Sequence, residues 1–189
     1  KIYNSQDVDE LVFLDVSATI EGRKTLLNII EEISEYCFVP LVVGGGIRTL
    51  DDIRNTLRAG ADMVAINTYA AENPDFITEA SNIFGSQAIV ASIDVKHTKY
   101  QGKANKPSQQ EMSRVEKLVP MNYQDSDYKV FTNRGTKDTG KHPVDWAREL
   151  VRLGVGEILL TSIDREGMMV GYDTALVGAV SSSVSVPVI

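Results

Sequence analysis

The chain has 189 residues, 43% hydrophobic and 24% charged, enough for a globular fold with a substantial core. Its net charge of −7 excludes the basic footprint that nucleic-acid binding requires, and no apolar run approaches the roughly 20 residues of a membrane span. No charged segment followed by an apolar one marks a secretory signal, so the expected setting is the cytoplasm, where the single Cys37 reads as a small core residue rather than a catalytic thiol.

Strand-like and helix-like segments alternate from end to end. An apolar strand at 10–16 precedes a helix at 22–36, with Leu26, Leu27, Ile29, Ile30 and Ile33 at helical spacing. A strand at 40–45 leads into a helix at 49–59, opened by Thr49 as cap with Asp51 and Asp52 in its first turn. A strand at 63–67 precedes a helix at 73–84, where Asn73 suits the cap and Pro74 the first helical position. A strand at 88–95 comes next. Residues 97–129 then break the rhythm: a polar stretch with Pro107 and Pro120 that fits either a disordered insertion or a substrate-covering lid. Pro143 opens a helix at 143–153, a strand follows at 157–163, Asp173 caps a helix at 173–182, and a strand begins at 186. Six strands alternating with five helices predict parallel βαβ units with right-handed crossovers.

The strand entrances repeat weakly at 8–12, 61–65 and 155–159, and Gly60 and Gly154 before two of them suit helix C-caps. Repetition of one βα unit favours a closed barrel over an open sheet. The chain opens on Lys1 and stops on Val186-Pro187-Val188-Ile189, an apolar strand start. The expectation is therefore one partial (βα)8 TIM-barrel domain over 1–189, carrying about strands 2–7, with a long insertion at 97–129.

The chemistry is predicted at the strands' C-terminal ends, where such folds build active sites. Asp15, Asn67 with Thr68, Asp94 with Lys96, and Thr161 with Asp164 each follow an apolar run there. Asp94 ends an uninterrupted apolar strand, so it should be partly desolvated and able to act as general acid or base; an Asp satisfied by loop amides is the plainer alternative. Gly44-Gly45-Gly46 at a strand-to-helix turn lets backbone approach a phosphate, and Asn67 and Thr68 add donors beside it. The spacing matches neither a Walker loop nor GxGxxG. His97 and His142 lie in loops and read as solvated, and no ligand set has metal spacing.

The blocks DELVFLDVSAT, VGGGIRTLDD, AINTYAAENP, FGSQAIVASIDVK and GEILLTSIDREG…GYD, in that order, resemble the cyclase subunit of imidazole glycerol phosphate synthase, HisF. The resemblance implies a (βα)8 barrel that binds a bisphosphorylated ribonucleotide and receives ammonia from a glutaminase subunit docked at its N-terminal face. The cyclase then yields imidazole glycerol phosphate and an aminoimidazole carboxamide ribonucleotide, with no cofactor. By the same resemblance Asp94 is one of two catalytic aspartates, whose partner lies on a first strand that this sequence lacks. Gly45, Gly46, Asn67 and Thr68 match one phosphate site. Glu166 and Gly167 match part of the other, where the family usually has Asp in place of Glu166.

At the strand starts, Glu10 and Glu157 match members of the family's ammonia gate, whose lysine position is Met63 here, and Asp62 and Gln87 match glutaminase-docking positions. EYCFVPL, SIDVK and TNRGTKDTG also resemble a paralogous group that amidates a surface-polysaccharide sugar, with a nucleotide sugar as substrate. That reading stays open, as does a non-catalytic barrel that activates the glutaminase.

Overall fold

The computed structural model describes residues 8–15, 27–98 and 127–189. Helical residues expected at 22–26, and nearly all of the insertion expected at 97–129, lie outside the described residues. Strands β1 (Leu11–Leu14), β2 (Leu41–Gly44), β3 (Met63–Ile66), β4 (Ile89–His97) and β7 (Glu157–Ser162) run parallel, in the order β1-β2-β3-β4-β7. A further parallel bridge joins Ile158 to Val188, with Ile158 N donating to Pro187 O at 3.0 Å and Ile189 N to Ile158 O at 2.9 Å.

Alternation within each strand assigns its two faces. Val42, Ala65 and Val90 form one cluster with Val12, Met63 and Leu159. Their neighbours turn the other way, toward helices α1 (Leu27–Ser34), α2 (Leu50–Arg58), α4 (Asp75–Phe84), α5 (Pro143–Leu153) and α6 (Thr174–Ser181). Leu41 and Val43 pack with Ile30 and Ala59, and Val64, Ile89, Ile93 and Ile158 with Ile53, Ile77, Leu150 and Leu176. The sheet is curled: all five parallel strands, or the residues just after them, line one cavity on the inner face.

The helices start where the sequence punctuates them. Thr49 and Asp52 form a reciprocal capping box on α2, Pro143 occupies the first turn of α5, and Asp173 Oδ1 accepts from Leu176 N at 3.2 Å on α6. Gly154 closes α5 at φ 108°. His142, read as solvated, instead caps α5 by accepting from Val144 N at 3.3 Å, and burial pushes its pKa down.

Two departures from the sequence reading matter for the site. A short helix, α3 (Thr68–Glu72), precedes α4, and Pro74 rather than Asn73 caps α4. Strand β4 also runs two residues further than expected and pairs antiparallel with β5 (Tyr128–Thr132), which turns back into β6 (Lys137–Asp138). The end of the predicted insertion is therefore ordered sheet, and the signal was present: Tyr-Lys-Val-Phe-Thr favours a strand and Asn-Arg-Gly a tight turn.

Candidate active site

At the C-terminal ends of the strands lies a cavity of about 620 Å³. Asp94 faces it from β4. The alternation that turns Val90 inward also turns Ser92 and Asp94 inward, and the β4–β7 register sets Asp94 opposite Thr161. Asn67 Nδ2 donates to Asp94 Oδ2 at 2.9 Å. Burial holds the Asp94 pKa above the ordinary carboxylate value, and the Asn67 hydrogen bond offsets part of that rise. A raised pKa brings this carboxyl closer to the range in which one group can both take and return a proton.

Toward β1 and β2, Asp15, Gly45 and Gly46 line the same cavity, with Asn67 and Thr68 at the end of β3 between them and Asp94. The turn after β2 is tight. Gly45 sits at φ 114°, and a Cβ there would fall 2.3 Å from the Asp15 carbonyl oxygen. Gly46 follows at φ 70°. Backbone can thus come close to a ligand with no side chain between them. Thr68 is buried, and its Oγ1 accepts from Asn133 N at 3.2 Å, tying the β5–β6 turn to this rim. Thr161 and Glu166 complete the wall from the β7 side.

Three residues singled out from the sequence stand elsewhere. Lys96 Nζ donates to Gly135 O and lies 4.9 Å from the Phe131 ring, so the hairpin, not the cavity, engages its charge. Asp164 Oδ2 accepts from His97 N at 2.7 Å and fastens β4 to the loop after β7. Gly167, at φ 69°, does not line the cavity. Conversely, Ser92, Arg48 and Arg134 line it and were not singled out. Ser92 was legible as the one polar residue two positions before Asp94 in an apolar strand. Among the described residues no group of three or more His, Cys, Asp or Glu side chains is placed to hold a metal ion, and no helix is long and apolar enough to cross a membrane.

The strand starts present a second charged group. Glu10 precedes β1 and Glu157 opens β7, four strands apart along the sheet, yet the Glu157 charge reaches Glu10 across the curl. Burial raises both pKa values, and Glu157 raises that of Glu10 further. Glu10 Oε1 is buried with no hydrogen-bond partner among the described residues. A raised folded pKa means the fold is favoured with the group protonated and loses stability as pH rises through that value. Glu10→Gln is therefore expected to raise Tm at pH 7 and to leave it unchanged at about pH 4, where wild type is largely protonated in both states; thermal melts at the two pH values check this. Met63, at the start of β3, packs on the inner cluster. Asp62 clamps β3 to β2, its Oδ2 accepting from Leu41 N at 2.8 Å. Gln87 is exposed in the turn before β4.

Residues 1–189 match the family of histidine biosynthesis proteins. The chain belongs to that family. Its curled parallel sheet is accordingly part of the family's (βα)8 barrel. Two curated relatives are the imidazole glycerol phosphate synthase subunits HisF of Sulfolobus acidocaldarius, 44% identical over 187 residues, and of Metallosphaera sedula, 45% identical over 187 residues. Each comparison takes in 99% of this chain but only 65% and 64% of the respective relative. The chain thus spans just under two thirds of the HisF subunits it matches.

Proposed function

We propose that this chain is the larger part of a cyclase subunit of imidazole glycerol phosphate synthase. The observation that carries the reading is the cavity itself. A half-buried Asp94 with a raised pKa and a glycine turn backed by Thr68 share one pocket at the strand ends. The names of the two relatives support the histidine-pathway substrate over sugar amidation.

In this reading one phosphate of an open-chain bisphosphorylated ribonucleotide sits against Gly45, Gly46, Asn67 and Thr68. Backbone approach and the Thr68 hydroxyl fix its position. The reacting centre then lies toward Asp94. As ammonia adds, the nitrogen must shed protons, and ring closure and product cleavage return one to the leaving atom. A carboxyl with a raised pKa serves both directions, and the Asn67 hydrogen bond keeps it aimed inward. Ser92 and Thr161 supply neutral hydroxyls beside it.

Ammonia would enter through the strand-start face, past Glu10, Glu157 and Met63, from a glutaminase docked over Asp62 and Gln87. Asp62 is a poor probe of docking, because reversing its charge also removes the Leu41 hydrogen bond. Gln87 makes no side-chain hydrogen bond among the described residues, so Gln87→Arg isolates the contact. In the full-length subunit with its glutaminase, Gln87→Arg is expected to lower glutamine-dependent turnover about tenfold or more while ammonia-dependent turnover stays within twofold. Equal loss in both assays, or in neither, places the docking face elsewhere.

A further inference from the structure

The turn between β5 and β6 runs through left-handed backbone. Asn133, Arg134 and Gly135 adopt φ 50°, 58° and 72° in succession. Glycine accepts this backbone and asparagine tolerates it, but arginine is disfavoured there by its Cβ. The surroundings hold the turn in place. Asn133 N donates to Thr68 Oγ1, Lys96 Nζ donates to Gly135 O, and Thr136 Oγ1 donates to Asn133 O at 2.7 Å. A Cβ at Gly135 would fall 2.7 Å from Ile163 Cδ1, so the turn is also pressed against the end of β7. Backbone strain fixed this firmly is a feature of ligand-binding sites.

The consequence is an exposed arginine carried on a fixed backbone at the cavity rim. Arg134 lines the cavity, and its guanidinium has no hydrogen bond or ion pair among the described residues. The hairpin that carries it is tied to Thr68, on the glycine-turn side of the mouth. Apart from Arg134 and Arg48, the charged side chains lining the cavity are the carboxylates of Asp15, Asp94 and Glu166. Positive charge beside a dianion seated by the glycine turn would strengthen its binding, and a guanidinium offers a planar fork that fits two phosphate oxygens.

We propose that Arg134 binds the substrate phosphomonoester held by Gly45, Gly46 and Thr68, closing that site from the hairpin side. The proposal rests on the phosphate reading of the glycine turn, and its test separates the two. Inorganic phosphate is titrated into the full-length protein and followed by ³¹P NMR, for wild type and for Arg134→Gln, Arg134→Lys, Arg134→Gly and Thr68→Val.

Wild type is expected to saturate, and Arg134→Gln to weaken Kd about tenfold, the size of one lost charge-assisted contact. Arg134→Lys should recover part of the loss, since it keeps the charge without the fork. Arg134→Gly should raise Tm by relieving the backbone while binding as weakly as Arg134→Gln. A purely structural arginine would not combine those two effects. Wild-type Kd in Arg134→Gln with weakened binding in Thr68→Val overturns the role of Arg134 and leaves the phosphate site standing. No saturable binding in wild type, or no change in either variant, overturns the phosphate site and the proposal with it.

Discussion

Asp94→Asn is expected to lower ammonia-dependent turnover of the full-length subunit by about 10²–10⁴-fold, the usual contribution of a positioned acid or base. KM for the ribonucleotide should stay within a few-fold, because the phosphate site proposed above lies on other strands. The amide can still accept from Asn67 Nδ2, so the geometry survives while the proton is lost. The same variant should be more stable than wild type at neutral pH. Burial raises the folded Asp94 pKa above its ordinary 3.8, so the native fold loses stability as pH rises through the folded value. Asparagine does not ionise, and the two proteins should melt together below about pH 4. A catalytic group that costs stability predicts opposite signs for activity and Tm. Unchanged turnover, or a Tm that falls at pH 7, contradicts the role given to this carboxyl.

Gly45→Ala should be the most damaging small substitution in the site. At φ 114° an L side chain is strained, and the added carbon would meet the Asp15 carbonyl oxygen at 2.3 Å, a backbone atom that has little room to retreat. Strain and overpacking together should cost about 4 kcal/mol, measured by denaturant unfolding, and phosphate binding should disappear with it. Gly140→Ala is the control: φ there is 72° but nothing lies within 4 Å of the new carbon, so the cost should be about 1 kcal/mol.

Much of the barrel was legible because its signals are local. Apolar runs ending in polar residues gave five parallel strands, and Thr49, Pro143, Asp173 and Gly154 marked helix ends that the fold uses. Asp94 could be placed because a carboxyl that ends a largely apolar strand falls at the strand-end mouth, and Ser92 two residues before it marks the face it takes. The hairpin was harder to read. Its strand Tyr128–Thr132 follows a long polar stretch, and its pairing with β4 is non-local. Missing it hid Arg134. It also left Lys96 looking like a ligand-binding cation, when the carbonyl of Gly135 and the Phe131 ring already occupy it. Asp164 misled for a similar reason, since its partner, the His97 amide, exists only once β4 extends to meet it. Side-chain periodicity reveals which face a residue takes, but not which neighbour reaches it first.

The reaction itself is the most direct test of the proposed cyclase activity. The full-length subunit, supplied with ammonium and the open-chain bisphosphorylated ribonucleotide and without a glutaminase, is followed by chromatography of the products. The expected result is equal amounts of imidazole glycerol phosphate and aminoimidazole carboxamide ribonucleotide, formed in wild type and nearly absent in Asp94→Asn. Ribonucleotide left unconverted by a folded wild-type protein, or products formed equally well without Asp94, would contradict it.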